Sequence, residues 1–127
     1  VVWGNCQQIR NWTYIDDIVS GTIAAAEHID DGTAVNLGTM ERTSVLEAVK
    51  EVLRLTNQES TPIELHPEMP TGPVNRVADN SLARKLLGGW EPKTPFKDGL
   101  KKTLDWYYAT KNRDEVKGYL DRMLTER

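Results

Sequence analysis

The sequence predicts an α/β fold: a small mixed domain with short strands and about five helices. Short runs rich in β-branched and aromatic residues alternate along the chain with longer stretches whose apolar residues recur every three to four positions. Glycine, proline, asparagine and aspartate cluster at the joins between them. Strand and helix signals therefore interleave rather than segregate, which is the α/β pattern.

The chain opens on strand-like residues, Val1-Val2-Trp3, without an initiator methionine, as a piece of a longer polypeptide would. Gln8 to Ile15 is β-branched and aromatic and reads as a strand. Asp16 or Asp17 is placed to cap a helix over Ile18 to His28, with Ile18, Val19, Thr22, Ile23 and Ala26 as its expected inward face. Asp31-Gly32 is a turn, and Ala34 to Leu37 a short strand ending at Gly38. Ser44 followed by Glu47 forms a capping box for a helix running to about Thr56, with Val45, Leu46, Val49, Val52 and Leu53 on one face. Thr61 to Leu65 reads as a strand, and His66 to Val74, with Pro67, Pro70 and Pro73, as an extended surface loop. Asp79 or Asn80 caps a short helix carrying Leu82, Leu86 and Leu87, which Gly88-Gly89 stops. Thr94-Pro95 opens a helix with a buried stripe of Phe96, Leu100, Leu104 and Tyr107. The last helix begins near Asn112 and carries Val116, Tyr119, Leu120, Met123 and Leu124, and Thr125 to Arg127 are expected to fray.

At 127 residues the chain is the size of one domain and long enough to bury a core without disulfides or metal. The net charge of −3 argues against nucleic acid as a partner, because a phosphate-neutralising surface is usually basic. The single cysteine, Cys6, forms neither an internal disulfide nor a zinc cluster, and His28 and His66 lie far apart, so no metal site is expected. No apolar run is long enough to span a bilayer and no signal peptide is evident, so a cytoplasmic setting is expected.

The sequence lacks a Gly-x-Gly-x-x-Gly fingerprint after a strand, a P-loop, a Gly-x-Ser-x-Gly elbow and a Cys–His pair. Tyr107 and Lys111 are four apart, the spacing of an acid/base pair on one helix face. The simpler reading puts Tyr107 in the apolar stripe and Lys111 at the helix end, where a cation suits the dipole. Arg10 lies between Ile9 and Trp12, where a charge needs a partner. Either Asp16 or Asp17 supplies it, or the planar guanidinium holds a phosphate. Arg76 precedes a helix opening, where free N–H groups favour anions, although taken alone it reads more simply as a solvated loop arginine. Asn36 is a polar residue near a strand end, where hydrogen bonding to the following loop is the simpler role.

These residues fall into segments that together resemble the extended short-chain dehydrogenases/reductases, the NAD-dependent nucleotide-sugar epimerases and dehydratases. Trp3-Gly4 and then Gln8-Ile9-Arg10-Asn11-Trp12-Thr13-Tyr14-Ile15-Asp16-Asp17 are similar to that family's Trp-Gly…Gln-x-Arg-Asp-Phe-x-Tyr-Val-Asp-Asp stretch. Val35-Asn36-Leu37-Gly38, Ser44-Val45-Leu46-Glu47, Arg76-Val77-Ala78-Asp79-Asn80-Ser81 and the Leu87 to Pro92 and Phe96 to Trp106 runs resemble later segments in the same order. The likeness covers about residues 1 to 111. Asn5-Cys6 departs from the usual Asp-Gly, Met69 stands near a position where an arginine occurs in the 4-epimerase pattern, and Gly88-Gly89 carries one glycine more than usual. A cysteine tolerates a positive φ poorly, so an altered turn is expected at Cys6.

The resemblance implies the C-terminal, substrate-holding part of a two-part enzyme, the Rossmann nucleotide-binding core lying outside the chain. NAD would then belong to the full-length enzyme and no cofactor to this chain, and the isolated chain would be inactive. The implied substrate is a UDP- or GDP-linked sugar, with Arg10, Arg76 and Asn36 at its phosphates and no catalytic residue present. Tyr107 and Lys111 do not inherit the family's Tyr-x-x-x-Lys, which lies upstream of anything here. Residues 1–127 form one domain in this reading: 1–30 abut the Rossmann domain, 31–111 form the substrate-domain core, and 112–127 form a C-terminal helix. The alternatives are a stand-alone binding module without catalysis, and a structural or oligomerisation fragment.

Overall fold

The computed structural model describes residues 1–125. In chain order it has β1 (Val2–Trp3), β2 (Ile9–Arg10), α1 (Ile15–His28), β3 (Thr43–Ser44), α2 (Val45–Leu55), β4 (Leu65–His66), β5 (Asn75–Arg76), α3 (Ser81–Leu86), α4 (Phe96–Thr110) and α5 (Arg113–Thr125). The mixed α/β class with short strands and five helices is as the sequence predicts.

The strands form two small sheets. β1 pairs with β4 in parallel. β2 is the centre of the other sheet, antiparallel to β3 and parallel to β5. The predicted strand over Gln8 to Ile15 is therefore much shorter. After Arg10 the ladder ends, and Ile15 already begins α1. Ala34 to Leu37 is not a strand, because it finds no ladder partner among the described residues. Thr61 to Leu65 contributes only its last residue, to β4.

α2 forms as its residues dictate. The Ser44 hydroxyl accepts from the Glu47 N–H at 3.1 Å, and the Glu47 carboxylate accepts from the Ser44 N–H at 2.7 Å. These bonds satisfy helix-end donors that would otherwise be orphaned. α1 departs from expectation in two ways. Its N-cap is Tyr14, without a side-chain capping bond. Its buried residues are Asp17 and Gly21, whereas Val19 and Ile23 are about half exposed, at 49% and 56%. The packing that decides this is Trp90, which lies so close over Gly21 that an added Cβ would meet its ring at 2.6 Å. The Trp90 indole N–H donates to Ser20 Oγ at 3.0 Å. The indole takes the Ser20–Gly21 side of the helix, and the Val19–Ile23 stripe is left outside.

Asp17 does not cap α1. Its two oxygens accept from the Lys93 N–H at 3.1 Å and the Thr94 N–H at 3.0 Å, locking the approach to α4 onto α1. Burial alone pushes the Asp17 carboxyl up, but these N–H donors and the nearby Lys102 more than offset it and leave the pKa below its ordinary value. Pro95 is the N-cap of α4 rather than its first residue, and the Phe96 N–H is taken by Glu41 Oε2 at 3.0 Å. In the α4 stripe Phe96 is buried and Tyr107 is exposed. α3 ends in two left-handed glycines, Gly88 at φ +62° and Gly89 at φ +85°, and the Gly89 N–H reaches back to the Arg84 carbonyl at 3.0 Å. That is the Schellman arrangement, which both glycines permit. α5 begins at Arg113, with Asn112 Oδ1 accepting from the Asp114 N–H. Val116 is half-buried in it and Tyr119 exposed. The side chains of Leu120, Met123 and Leu124, and the fraying expected at Glu126 and Arg127, lie outside the described residues.

The Asn5-Cys6 turn keeps the backbone that a glycine would adopt. Cys6 has φ +59°, and its side chain is fully buried. Burial of the thiol holds it in a conformation that costs an L-residue about 1–2 kcal/mol.

Candidate functional site

The β2–β5 register places Arg10 directly opposite Arg76. β-Strand neighbours lie about 4.8 Å apart, and directly paired side chains share a face. Two guanidinium-bearing residues thus stand side by side, an arrangement that is unfavourable unless an anion lies between them. Among the described residues no carboxylate forms an ion pair with either. The salt bridge that Asp16 or Asp17 offered Arg10 in the sequence does not form. Asp17 is spent on the Lys93 and Thr94 backbone. Arg10 is half-buried; Nη1 donates to the Ile9 carbonyl at 2.8 Å and Nη2 to the Thr71 carbonyl at 3.5 Å. Arg76 is exposed.

Asn36 is held elsewhere in the same neighbourhood. Its Nδ2 donates to the Asp79 carbonyl at 3.3 Å, three residues past Arg76. The buried Asn80 Nδ2 donates to the Gly38 carbonyl at 3.0 Å, and the Thr39 N–H to Thr13 Oγ1 at 3.0 Å. These bonds draw 36–39 against the segments that follow β2 and β5. Asn80 stands at the N-cap of α3, but its side chain makes no capping bond; Asp79 Oδ1 takes the Ser81 N–H at 2.9 Å. Sequence spacing does not reveal the roles of Asp17 and Asn80, because each bonds to backbone more than 40 residues away.

Tyr107 and Lys111 do not meet as an acid/base pair. Lys111 Nζ lies 5.2 Å from the centre of the Trp106 ring, and Tyr107 packs edge-on against Tyr108. A cleft of about 840 Å3 runs between the start of α1 and α4, walled by Trp12, Tyr14, Phe96 and Trp106. Among the described residues no cluster of three or more His, Cys, Asp or Glu is placed to hold a metal ion, and no helix is long and apolar enough to cross a membrane.

The family model described as GDP-mannose 4,6 dehydratase matches residues 1–103. The chain belongs to this family. It is part of the extended short-chain dehydrogenase/reductase group of nucleotide-sugar epimerases and dehydratases. It is 34% identical over 110 residues to dTDP-D-glucose 4,6-dehydratase of Bos taurus, a match covering 84% of this chain and 31% of that protein. It is 32% identical over 117 residues to GDP-mannose 3,5-epimerase 1 of Oryza sativa subsp. indica, covering 92% and 30%. Among solved structures it is similar to UDP-glucuronic acid 4-epimerase from Bacillus cereus in complex with UDP-glucuronic acid and NAD, with TM-score 0.76, 29% identity and coverage of 87% and 35%. The UDP-glucose 4-epimerase of Thermotoga maritima, solved with UDP-glucose, gives TM-score 0.76 at 30% identity, covering 86% and 34%. The chain spans about a third of the length of these relatives.

NAD is present in the Bacillus cereus relative, yet the described residues here do not form a dinucleotide cradle. α2, the helix that follows a strand directly, has its opening N–H groups taken by the Gln8 and Cys6 carbonyls and by Ser44 Oγ, and carries the Glu47 carboxylate there. That carboxylate opposes a pyrophosphate. α1 opens with Asp16 and Asp17.

Proposed function

We propose that this chain is the part of an NAD-dependent nucleotide-sugar epimerase or dehydratase that holds the sugar nucleotide, with Arg10 and Arg76 gripping its diphosphate. The observation that carries the reading is the in-register pairing of these two arginines, with no carboxylate partner among the described residues. Their charges repel each other, and a diphosphate relieves the repulsion while accepting from both forks. Asn36 is the third group of the clamp: one amide hydrogen goes to the Asp79 carbonyl, and the other remains for a phosphate oxygen. In this reading the chain contributes positioning and no reacting group, and oxidation and re-reduction of the sugar by NAD belong to the remainder of the polypeptide. The chain alone is then inactive.

Two features support a covering partner. The Ile15–Val19–Ile23 stripe on α1 is 49–60% exposed, and Ala34 to Leu37 has no ladder partner among the described residues. A Rossmann domain would supply a face for the one and a sheet for the other, so that residues 1–30 abut it, 31–111 form the substrate core and 112–127 the C-terminal helix. The same stripe favours a second reading, a self-associating structural fragment. Light scattering separates that reading from a monomeric clamp.

The test is calorimetric titration of the chain with UDP- and GDP-sugars. Each charge-assisted hydrogen bond contributes roughly 1.5–3 kcal/mol, so Arg10→Ala or Arg76→Ala should weaken binding roughly ten- to a hundredfold. Arg10→Lys should recover only part, because the planar fork is lost. Unchanged affinity in both alanine variants would remove the clamp from the proposal.

A further inference from the structure

The loop between β4 and β5 begins with a clasp whose chemistry depends on one proton. His66 Nδ1 is 2.8 Å from Glu68 Oε1, and Nε2 is 3.0 Å from Glu64 Oε1. A neutral imidazole has one donor and one acceptor nitrogen, so it satisfies only one of two carboxylates; the imidazolium donates to both. The charged groups bonded to His66 among the described residues are these two glutamates. β1, the strand paired with it, brings Val2 and Trp3, with Gly4 beyond, and none of the three has a titratable side chain. The carboxylate of Glu68 first, and that of Glu64 after it, hold the imidazole pKa above its ordinary value.

The clasp closes over a tight turn. The Met69 N–H donates to the His66 carbonyl at 3.1 Å, and Pro67 sits at the second turn position. From there the loop runs to Thr71, whose carbonyl takes Arg10 Nη2, and to Val74, whose carbonyl takes the Ile9 N–H at 2.8 Å. Pro67, Pro70 and Pro73 stiffen this run, so a displacement at the turn is carried along it rather than absorbed. Gly4 admits Thr71 at close range: a Cβ on Gly4 would lie 1.9 Å from Thr71 Cγ2. The loop is thus seated at Arg10 at one point and clasped at its root at another.

We infer that Glu64, His66 and Glu68 form a proton-dependent clasp that sets the position of the 67–74 loop against Arg10, and so tunes the anion grip of that arginine with pH. Its consequence for ligand binding rests on the diphosphate reading; the clasp and its coupling to the loop do not. With His66 protonated, both carboxylates are bonded and Thr71 stays seated on Arg10. As pH rises through the His66 titration one carboxylate meets a lone pair, the turn loosens and Thr71 shifts.

The experiment follows two signals by NMR across about pH 5.5 to 9 in the chain and in its Glu64→Gln, Glu68→Gln and His66→Gln variants: the His66 ring protons and the Thr71 and Gly72 amides. The expected result is a His66 midpoint above about 6.5, lowered by either glutamine variant at a glutamate. The Thr71 and Gly72 amides should titrate with the same midpoint and lose that titration in His66→Gln. Loop amides that stay flat while His66 titrates would overturn the coupling, and a midpoint that neither Glu64→Gln nor Glu68→Gln moves would overturn the clasp. UDP-glucose supplies the binding arm, since its diphosphate diester does not titrate near neutrality. Its affinity should fall roughly two- to fivefold from the acidic to the basic side, the scale of an exposed ion pair, and become flat in His66→Gln. A fall that persists in His66→Gln counts against the inference. If UDP-glucose binds at no pH, the diphosphate reading fails, and the amide titrations still decide the clasp.

Discussion

Replacing Asp17 by asparagine tests how the approach to α4 is joined to α1. Asp17 is 7% exposed, and each of its oxygens accepts one backbone N–H, from Lys93 and Thr94. Asparagine keeps one acceptor and turns an NH2 group toward the other N–H. One charge-assisted bond is lost, at roughly 1.5–3 kcal/mol, and the survivor falls to neutral strength, roughly 0.5–1.5 kcal/mol. The expected loss is about 2.5–4.5 kcal/mol, a large share of the roughly 5–15 kcal/mol that stabilises a domain. Urea unfolding followed by tryptophan fluorescence reads it directly, since Trp90 packs on Gly21 beside this joint. The pH dependence gives an independent check. The folded pKa of Asp17 lies below its unfolded value of 3.8, so its contribution is fully present above about pH 4–5 and disappears as pH falls through the folded pKa. The asparagine variant should therefore lose less stability than the parent on acidification. A variant within about 0.5 kcal/mol of the parent, with the same acid limb, would refute the argument that Asp17 joins α4 to α1.

Gly21→Ala should destabilise. Alanine gains roughly 0.5–1 kcal/mol of helix propensity, but its Cβ would sit 2.6 Å from Trp90 and 2.9 Å from Leu37, and overpacking of that kind costs roughly 1–3 kcal/mol. A urea midpoint raised by this substitution would mean that Trp90 does not rest on α1. Ser44→Ala should cost about 1 kcal/mol by removing the acceptor of the Glu47 N–H, with the loss of helical ellipticity confined to the α2 transition. In the binding assay, Arg10→Ala and Arg76→Ala combined should weaken a sugar nucleotide by less than the product of the single effects, because the two arginines share one ligand.

Local chemistry makes some elements legible. The capping box and its apolar face fix α2 from residues 44–56 alone, and Gly88-Gly89 marks the end of α3 because both residues need positive φ. Arg10 and Arg76 are legible as separate anion candidates, through the cost of an unpaired charge and through resemblance. The long strand predicted at Gln8 to Ile15 does not form, because alternation says nothing of how many partners a strand will find, and only Ile9 and Arg10 find them. The inward face predicted for α1 differs for a related reason. Periodicity puts Ile18, Val19, Thr22, Ile23 and Ala26 on one face, but which side this chain covers depends on Trp90, about 70 residues away.

The α/β class, the start of α2 at its capping box, the end of α3 at its two glycines, the proline loop and the family can all be read from the residues in order. These depend on interactions within a few residues, or on the succession of short motifs. Three other features emerge only once the chain is folded: Arg10 stands opposite Arg76, Asp17 serves the approach to α4, and the loop beginning at the His66 clasp touches Arg10 through Thr71. Each is a pairing between segments 60 or more residues apart. Such pairings follow from strand register and from which buried groups must satisfy one another, and neither is encoded in any single stretch of the chain.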